Sequence, residues 1–109
     1  KRNYIHVRDV IQAFLLAMCD DRTVGQIYNV GLSSANISKF ELCQKIHEYV
    51  PDFVYLNAEL GKDPDQRNYI VSNQKIEALD FNPEFSLDLG IKELIKGYTM
   101  LRNTRYGNI

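Results

Sequence analysis

Two stretches of this 109-residue chain place cations beside an aromatic ring and polar or acidic neighbours. The first is Arg2-Asn3-Tyr4. The second is Lys62-Asp63-Pro64-Asp65-Gln66-Arg67-Asn68-Tyr69. Such sets suit a nucleoside diphosphate. Arg or Lys neutralises phosphate oxygens, and Arg can do so with two parallel hydrogen bonds. A carboxylate accepts from ribose hydroxyls, and an aromatic ring offers a stacking or hydrogen-bonding surface. On residue types alone, surface loops with chance ion pairs remain the simpler explanation.

Other chemistries find less support. Gly25, Gly31, Gly90 and Gly97 do not cluster, so neither a G-x-G-x-x-G turn nor a Walker loop is present. His6 and His47 are the only histidines, and neither stands in a Ser-His-Asp or Cys-His setting. His6 and Asp9 are tempting as a catalytic pair. Asp9 reads better as a helix cap and His6 as a hydrogen-bonded packing residue. Cys19 and Cys43 lack the close Cys or His spacing that zinc needs, and read as buried free thiols. Lys45, Glu48, Lys92, Glu93 and Lys96 read as solvated helix faces. A net charge of −1 and a pI near 6.1 argue against a dedicated nucleic-acid binder. The longest apolar run, from Val10 to Met18, is too short to span a bilayer.

The elements that would position these residues follow from spacing. Asp9 is the expected N-cap of a first helix, whose apolar Val10, Ile11, Phe14, Leu15, Ala17 and Met18 fall at helical intervals. Asp20-Asp21-Arg22 ends it. Ile27, Tyr28 and Val30, between Gly25 and Gly31, predict a strand buried mostly on both faces, with Asn29 satisfying backbone at its end. Ser38 and Glu41 form a capping box opening a helix with Phe40, Cys43, Ile46, His47 and Val50 as its inner face, stopped by Pro51. Phe53 to Leu56 predicts a second short strand. The stretch from Asn57 to Asn68 is irregular and charged, with Tyr69 expected in the core beside it. Ser72 or Asn73 caps a short helix from Gln74 to Leu79, and Asp80 to Pro83 is a turn. Ser86 starts the last helix, with an inner stripe of Leu87, Ile91, Leu94, Ile95, Tyr98 and Leu101. Two short strands do not make a stable sheet. Either they pair under the helices, or they join a sheet supplied by further sequence.

Several blocks in order resemble the extended short-chain dehydrogenase/reductase family, the NAD-dependent nucleotide-sugar epimerases and dehydratases of the UDP-glucose 4-epimerase type. Arg2-Asn3-Tyr4-Ile5-His6-Val7-Arg8-Asp9-Val10 resembles that family's R-[DN]-[YF]-[IV]-H-V-x-D-[VL] block. Gln26-Ile27-Tyr28-Asn29-Val30-Gly31 is similar to its [YF]-N-[VIL]-G strand. Ile37 to Ile46 is similar to the helix that follows. Asp65 to Ile76 resembles its D-x-R-x-Y block, and Leu79 to Ile91 its block around a Pro and a helix-starting Ser. The resemblance covers nearly the whole chain.

The resemblance implies an α/β protein whose N-terminal Rossmann domain holds NAD and whose smaller C-terminal lobe holds a nucleoside-diphosphate sugar. This chain, residues 1–109, is expected to be that lobe: a small helix-rich α+β unit with two or three short strands. On this view it is part of a longer protein, with the cofactor domain and its catalytic Tyr-x-x-x-Lys outside it. Tyr4, Tyr69 and Tyr98 are each followed four residues later by something other than Lys. By position, Arg2 matches a diphosphate-binding Arg and Tyr4 the aromatic beside it. Lys62 falls where many members carry a second phosphate-binding Arg, Asp65 where a residue faces the ribose, and Arg67 matches the Arg of D-x-R-x-Y. Lys62 keeps the charge but lacks the guanidinium fork, and Pro64 stands where Gly is common. The resemblance further implies a cytoplasmic enzyme, a homodimer formed through Rossmann-domain helices, and no activity for this lobe alone. The rival reading is a stand-alone nucleotide-binding or protein-interaction module derived from the lobe.

Overall fold

A computed structural model describes residues 1–56 and 69–102. Among them are four helices and a two-stranded antiparallel sheet, which makes this a small helix-rich α+β chain. In order these are β1 (Arg2–Asn3), α1 (Val7–Cys19), a 3-10 turn (Asp21–Thr23), a second 3-10 turn (Ser33–Ala35), β2 (Asn36–Ile37), α2 (Lys39–Tyr49), α3 (Gln74–Glu77) and α4 (Leu87–Leu101). Arg2 pairs with Ile37 and Asn3 with Asn36.

The two strands are not the ones the sequence predicts. Residues 26–30 and 53–56 form no ladder among the described residues. Ile27 is 87% exposed, so the first run is not buried on both faces. The observed pairing arises instead where asparagine side chains supply hydrogen bonds. Asn3 Nδ2 donates to Leu32 O at 2.9 Å, and the Leu32 N–H donates to Asn3 Oδ1 at 3.0 Å. Asn36 repeats this with Val71, at 3.1 and 3.0 Å. Each carboxamide therefore acts as one more peptide unit, adding segments 32 and 71 to either side of β1 and β2. Asn29 also bonds backbone as expected, donating to Ser72 O at 3.4 Å.

Helix α1 begins three residues earlier than expected. His6 is its N-cap, with Nδ1 accepting from the Arg8 N–H at 3.1 Å. Asp9 is not the cap because its carboxylate is used elsewhere (see below). Thr23 closes the other end by donating to Ala17 O and Asp20 O. The capping box of α2 forms as read. The Glu41 N–H donates to Ser38 Oγ at 3.1 Å, and the Ser38 N–H donates to Glu41 Oε2 at 2.7 Å. Ser86 caps α4 through the Leu89 N–H. The turn after α3 places Asp80 at φ 63°, a conformation that Asp tolerates better than most residues.

The core is small. Ala13, Ile76 and Phe81 are buried together, with Leu16 and Tyr28 packed against them. Of the expected α4 stripe only Ile91 is buried, while Leu94 and Tyr98 are exposed. The inner face of α2 is likewise half-open: Phe40 and His47 are exposed, and Cys43 and Ile46 are partly buried. Cys19 is exposed rather than buried, and both thiols are free. Tyr69 is 46% exposed and is not a core residue. No described helix is long and apolar enough to cross a membrane.

Gly31 is buried because the Asn3 amide lies against it. A Cβ added there would sit 1.7 Å from Asn3 Oδ1, whereas one at Gly97 in α4 would meet nothing within 4 Å. Gly31→Ala should therefore destabilise the chain by about 1–3 kcal/mol through forced displacement of the Asn3 clamp. Gly97→Ala should stabilise it by roughly 0.5–1 kcal/mol. Urea unfolding of the two variants checks both signs.

Candidate functional site

The asparagine clamps bring the first stretch of candidate residues to the edge of the second. Asn3 fixes β1 against Leu32, and Asn36, paired with Asn3, holds Val71. Residue 69 is thereby placed near residue 2. The Arg2 guanidinium carbon lies 5.5 Å from the centre of the Tyr69 ring. Ring and guanidinium attract through the ring quadrupole, which favours a fixed guanidinium orientation. Of the remaining candidates, Tyr4 is partly buried and lines a neighbouring cleft. Lys62, Asp65 and Arg67 lie outside the described residues.

That cleft has a volume of about 1080 Å³, and its walls include Ile5, Ile46, Phe85, Ile91, Leu94 and Tyr98. Arg2 is not among its lining residues. His6, Arg8, Glu93 and Arg102 also line it, so charged side chains stand among the apolar walls. Of the residues expected from the sequence, Arg2 meets Tyr69 and Tyr4 lines the cleft.

His6 and Asp9 turn out to be positioning residues. His6 stacks on Phe85, with ring centroids 4.3 Å apart and planes inclined by 20°. Because Nδ1 accepts the Arg8 amide, the ring proton sits on Nε2, which donates to Glu93 Oε2 at 2.8 Å. That hydrogen bond, together with the nearby Arg8 charge, holds the Glu93 carboxyl below the usual carboxylate range. Asp9 is buried and accepts from the Glu84 and Phe85 N–H groups at 2.9 and 3.1 Å. It pins the turn that delivers Phe85 to His6. The two side chains do not address each other.

The opposite wall depends on Asp88, in the first turn of α4. Lys45 Nζ lies 3.1 and 3.2 Å from its two oxygens, and Tyr49 Oη donates to Oδ1 at 2.8 Å. Both partners come from α2. The Tyr49 and Lys45 hydrogen bonds lower the Asp88 pKa. Asp88 in turn raises the pKa values of Lys45 and Tyr49 by hydrogen bonding.

Two further features were not expected. Asn73 is buried, with Nδ2 donating to Ser33 Oγ at 3.3 Å, and its Oδ1 has no partner among the described residues. Lys75 Nζ sits 4.8 Å from the Tyr28 ring centre and donates to Ile27 O at 2.9 Å, tying α3 to the 26–30 run. The concentration of Asn in the loops was the available signal for the first. Among the described residues, no group of three His, Cys, Asp or Glu side chains is placed to hold a metal ion.

The linkage signs at Asp88 define a test. A depressed carboxyl pKa contributes stability that is present at neutral pH and lost as pH falls through the folded-state pKa, below roughly pH 4. Raised Lys and Tyr pKa values contribute stability that is lost as pH rises through theirs, above roughly pH 10. Asp88→Asn should flatten both limbs of a plot of Tm against pH, and unchanged limbs would refute the link between α2 and α4. Against known protein families, no family model matches the chain.

Proposed function

We infer that this chain is the nucleotide-sugar-binding lobe of an NAD-dependent epimerase or dehydratase. The observation that carries the reading is Arg2 seated over the Tyr69 ring. These residues come from two motif blocks far apart in sequence, and both blocks resemble the family's diphosphate-binding segments. In this role the guanidinium neutralises phosphate oxygens through paired charge-assisted hydrogen bonds. Tyr69 sets its plane, and Tyr4 borders the sugar side. Lys62, Asp65 and Arg67 supply the second phosphate contact and the ribose contact.

The described residues do not suit NAD. They contain no Gly-rich loop to cradle a pyrophosphate and no Tyr-x-x-x-Lys pair. On this reading NAD belongs to a Rossmann domain of the same polypeptide, in a cytoplasmic enzyme. The task of the present residues is to bind and orient substrate, so they show no epimerase or dehydratase turnover alone.

Calorimetry with UDP, GDP and dTDP tests the binding role. Arg2→Ala and Arg67→Ala should each weaken the best of these ligands by about 1.5–3 kcal/mol. Affinity unchanged in both variants, or no binding by the parent chain, would exclude the assignment.

A further inference from the structure

The Arg2–Tyr69 contact joins two segments that are anchored separately. Arg2 lies in β1, whose partner across the ladder is Ile37 of β2. Tyr69 stands two residues before Val71, and Val71 is tied to β2 through one side chain. Asn36 Nδ2 donates to Val71 O at 3.1 Å, and Asn36 Oδ1 accepts from the Val71 N–H at 3.0 Å. The other hydrogen bond between residues 69–72 and a side chain, among the described residues, is the longer one from Asn29 to Ser72 O, at 3.4 Å. Ile70, between Tyr69 and Val71, is 72% exposed, so apolar packing adds little there.

The Asn36 carboxamide is itself fixed. Its second N–H reaches Ser33 O at 3.3 Å, so turning the amide over would set an oxygen against two carbonyls and a donor against the Val71 N–H. Two bonds to one residue define a direction as well as a distance.

We propose that Asn36 is a positioning residue for diphosphate binding. It sets where Tyr69 stands, and through that ring how the Arg2 guanidinium is turned. The proposal rests on the function inferred above and deepens it. Paired hydrogen bonds from Arg to phosphate require one orientation of the guanidinium plane. A guanidinium with no ring beside it samples more orientations and loses affinity when ligand fixes one of them. The coupling is reciprocal: a ligand that favours the seated Arg2 favours the closed Asn36 clamp by the same factor.

A double-mutant cycle on the 109-residue chain tests this, by calorimetry with UDP, GDP and dTDP on Arg2→Ala, Asn36→Ala and the pair. Asn36→Ala should weaken the best of these ligands roughly 2- to 30-fold. In the Arg2→Ala background it should cost nothing further, whereas a general structural loss would weaken both backgrounds alike. NMR of the Arg2 side chain reads the positioning without ligand. The Tyr69 ring current should shift the Arg2 Nε–H resonance, and Asn36→Ala should move that resonance towards its position in Tyr69→Leu. If Asn36→Ala does not fold, the parent chain decides, because bound ligand should slow hydrogen exchange at the Val71 amide. Equal losses in both backgrounds, an Arg2 resonance indifferent to Asn36, or Val71 exchange unchanged by bound ligand would each overturn the proposal. In those cases the diphosphate assignment stands wherever Arg2→Ala still weakens binding. No binding by the parent chain removes the assignment and the proposal together.

Discussion

The region around Arg2 depends on a side-chain amide behaving as backbone. A carboxamide can present one N–H and its oxygen side by side in nearly the geometry of a peptide group, so it can complete a ladder that the main chain leaves unfinished. Asn3 does this with Leu32, and Asn36 does it with Val71. The intervening ladder between β1 and β2 is only two residues long on each strand. A ribbon that short is marginal by itself. The amides widen it on both sides and join parts of the chain from its beginning, middle and later half. The meeting of Arg2 with Tyr69 follows from that chain of pairings rather than from direct attraction alone.

Polar pins do much of the work elsewhere as well. Few apolar side chains are fully buried, and many large ones stay open to solvent. Asp9, buried against two backbone N–H groups, fixes the approach to α4. His6 joins the start of α1 to Glu93, and Asp88 joins α4 to α2. These bonds have defined directions, whereas apolar contact has none. The architecture is therefore set by directional contacts around a small core. Asn73 shows the cost of this arrangement: its side-chain oxygen is buried without a partner among the described residues, a state that costs about 1–3 kcal/mol.

What could be read from the sequence was mostly local. The capping box of Ser38 and Glu41 and the cap at Ser86 involve residues three apart, so the sequence contains both partners side by side. The packing role of His6 was also legible. The role of Asp9 was not, because its partners are the amides of Glu84 and Phe85, far along the chain. Strand propensity at 26–30 and 53–56 was misleading, since propensity expresses a preference for a pleated surface and needs a neighbour to realise it. The strands that do form were invisible to periodicity, being two residues each and sustained by Asn. Of the candidate site, Arg2 and Tyr4 proved neighbours of different surroundings: one faces Tyr69 and the other the cleft.

Gly31 and Asn3 share one volume: the amide oxygen of the latter fills the space where a side chain of the former would begin. Two positions related in this way are not free to drift separately. A larger residue at 31 is admissible only after position 3 has given up its amide, and with it the bond to Leu32. Among descendants of this sequence the pair should therefore change together, and such covariation would mark the clamp even where no other feature of the chain remained recognisable.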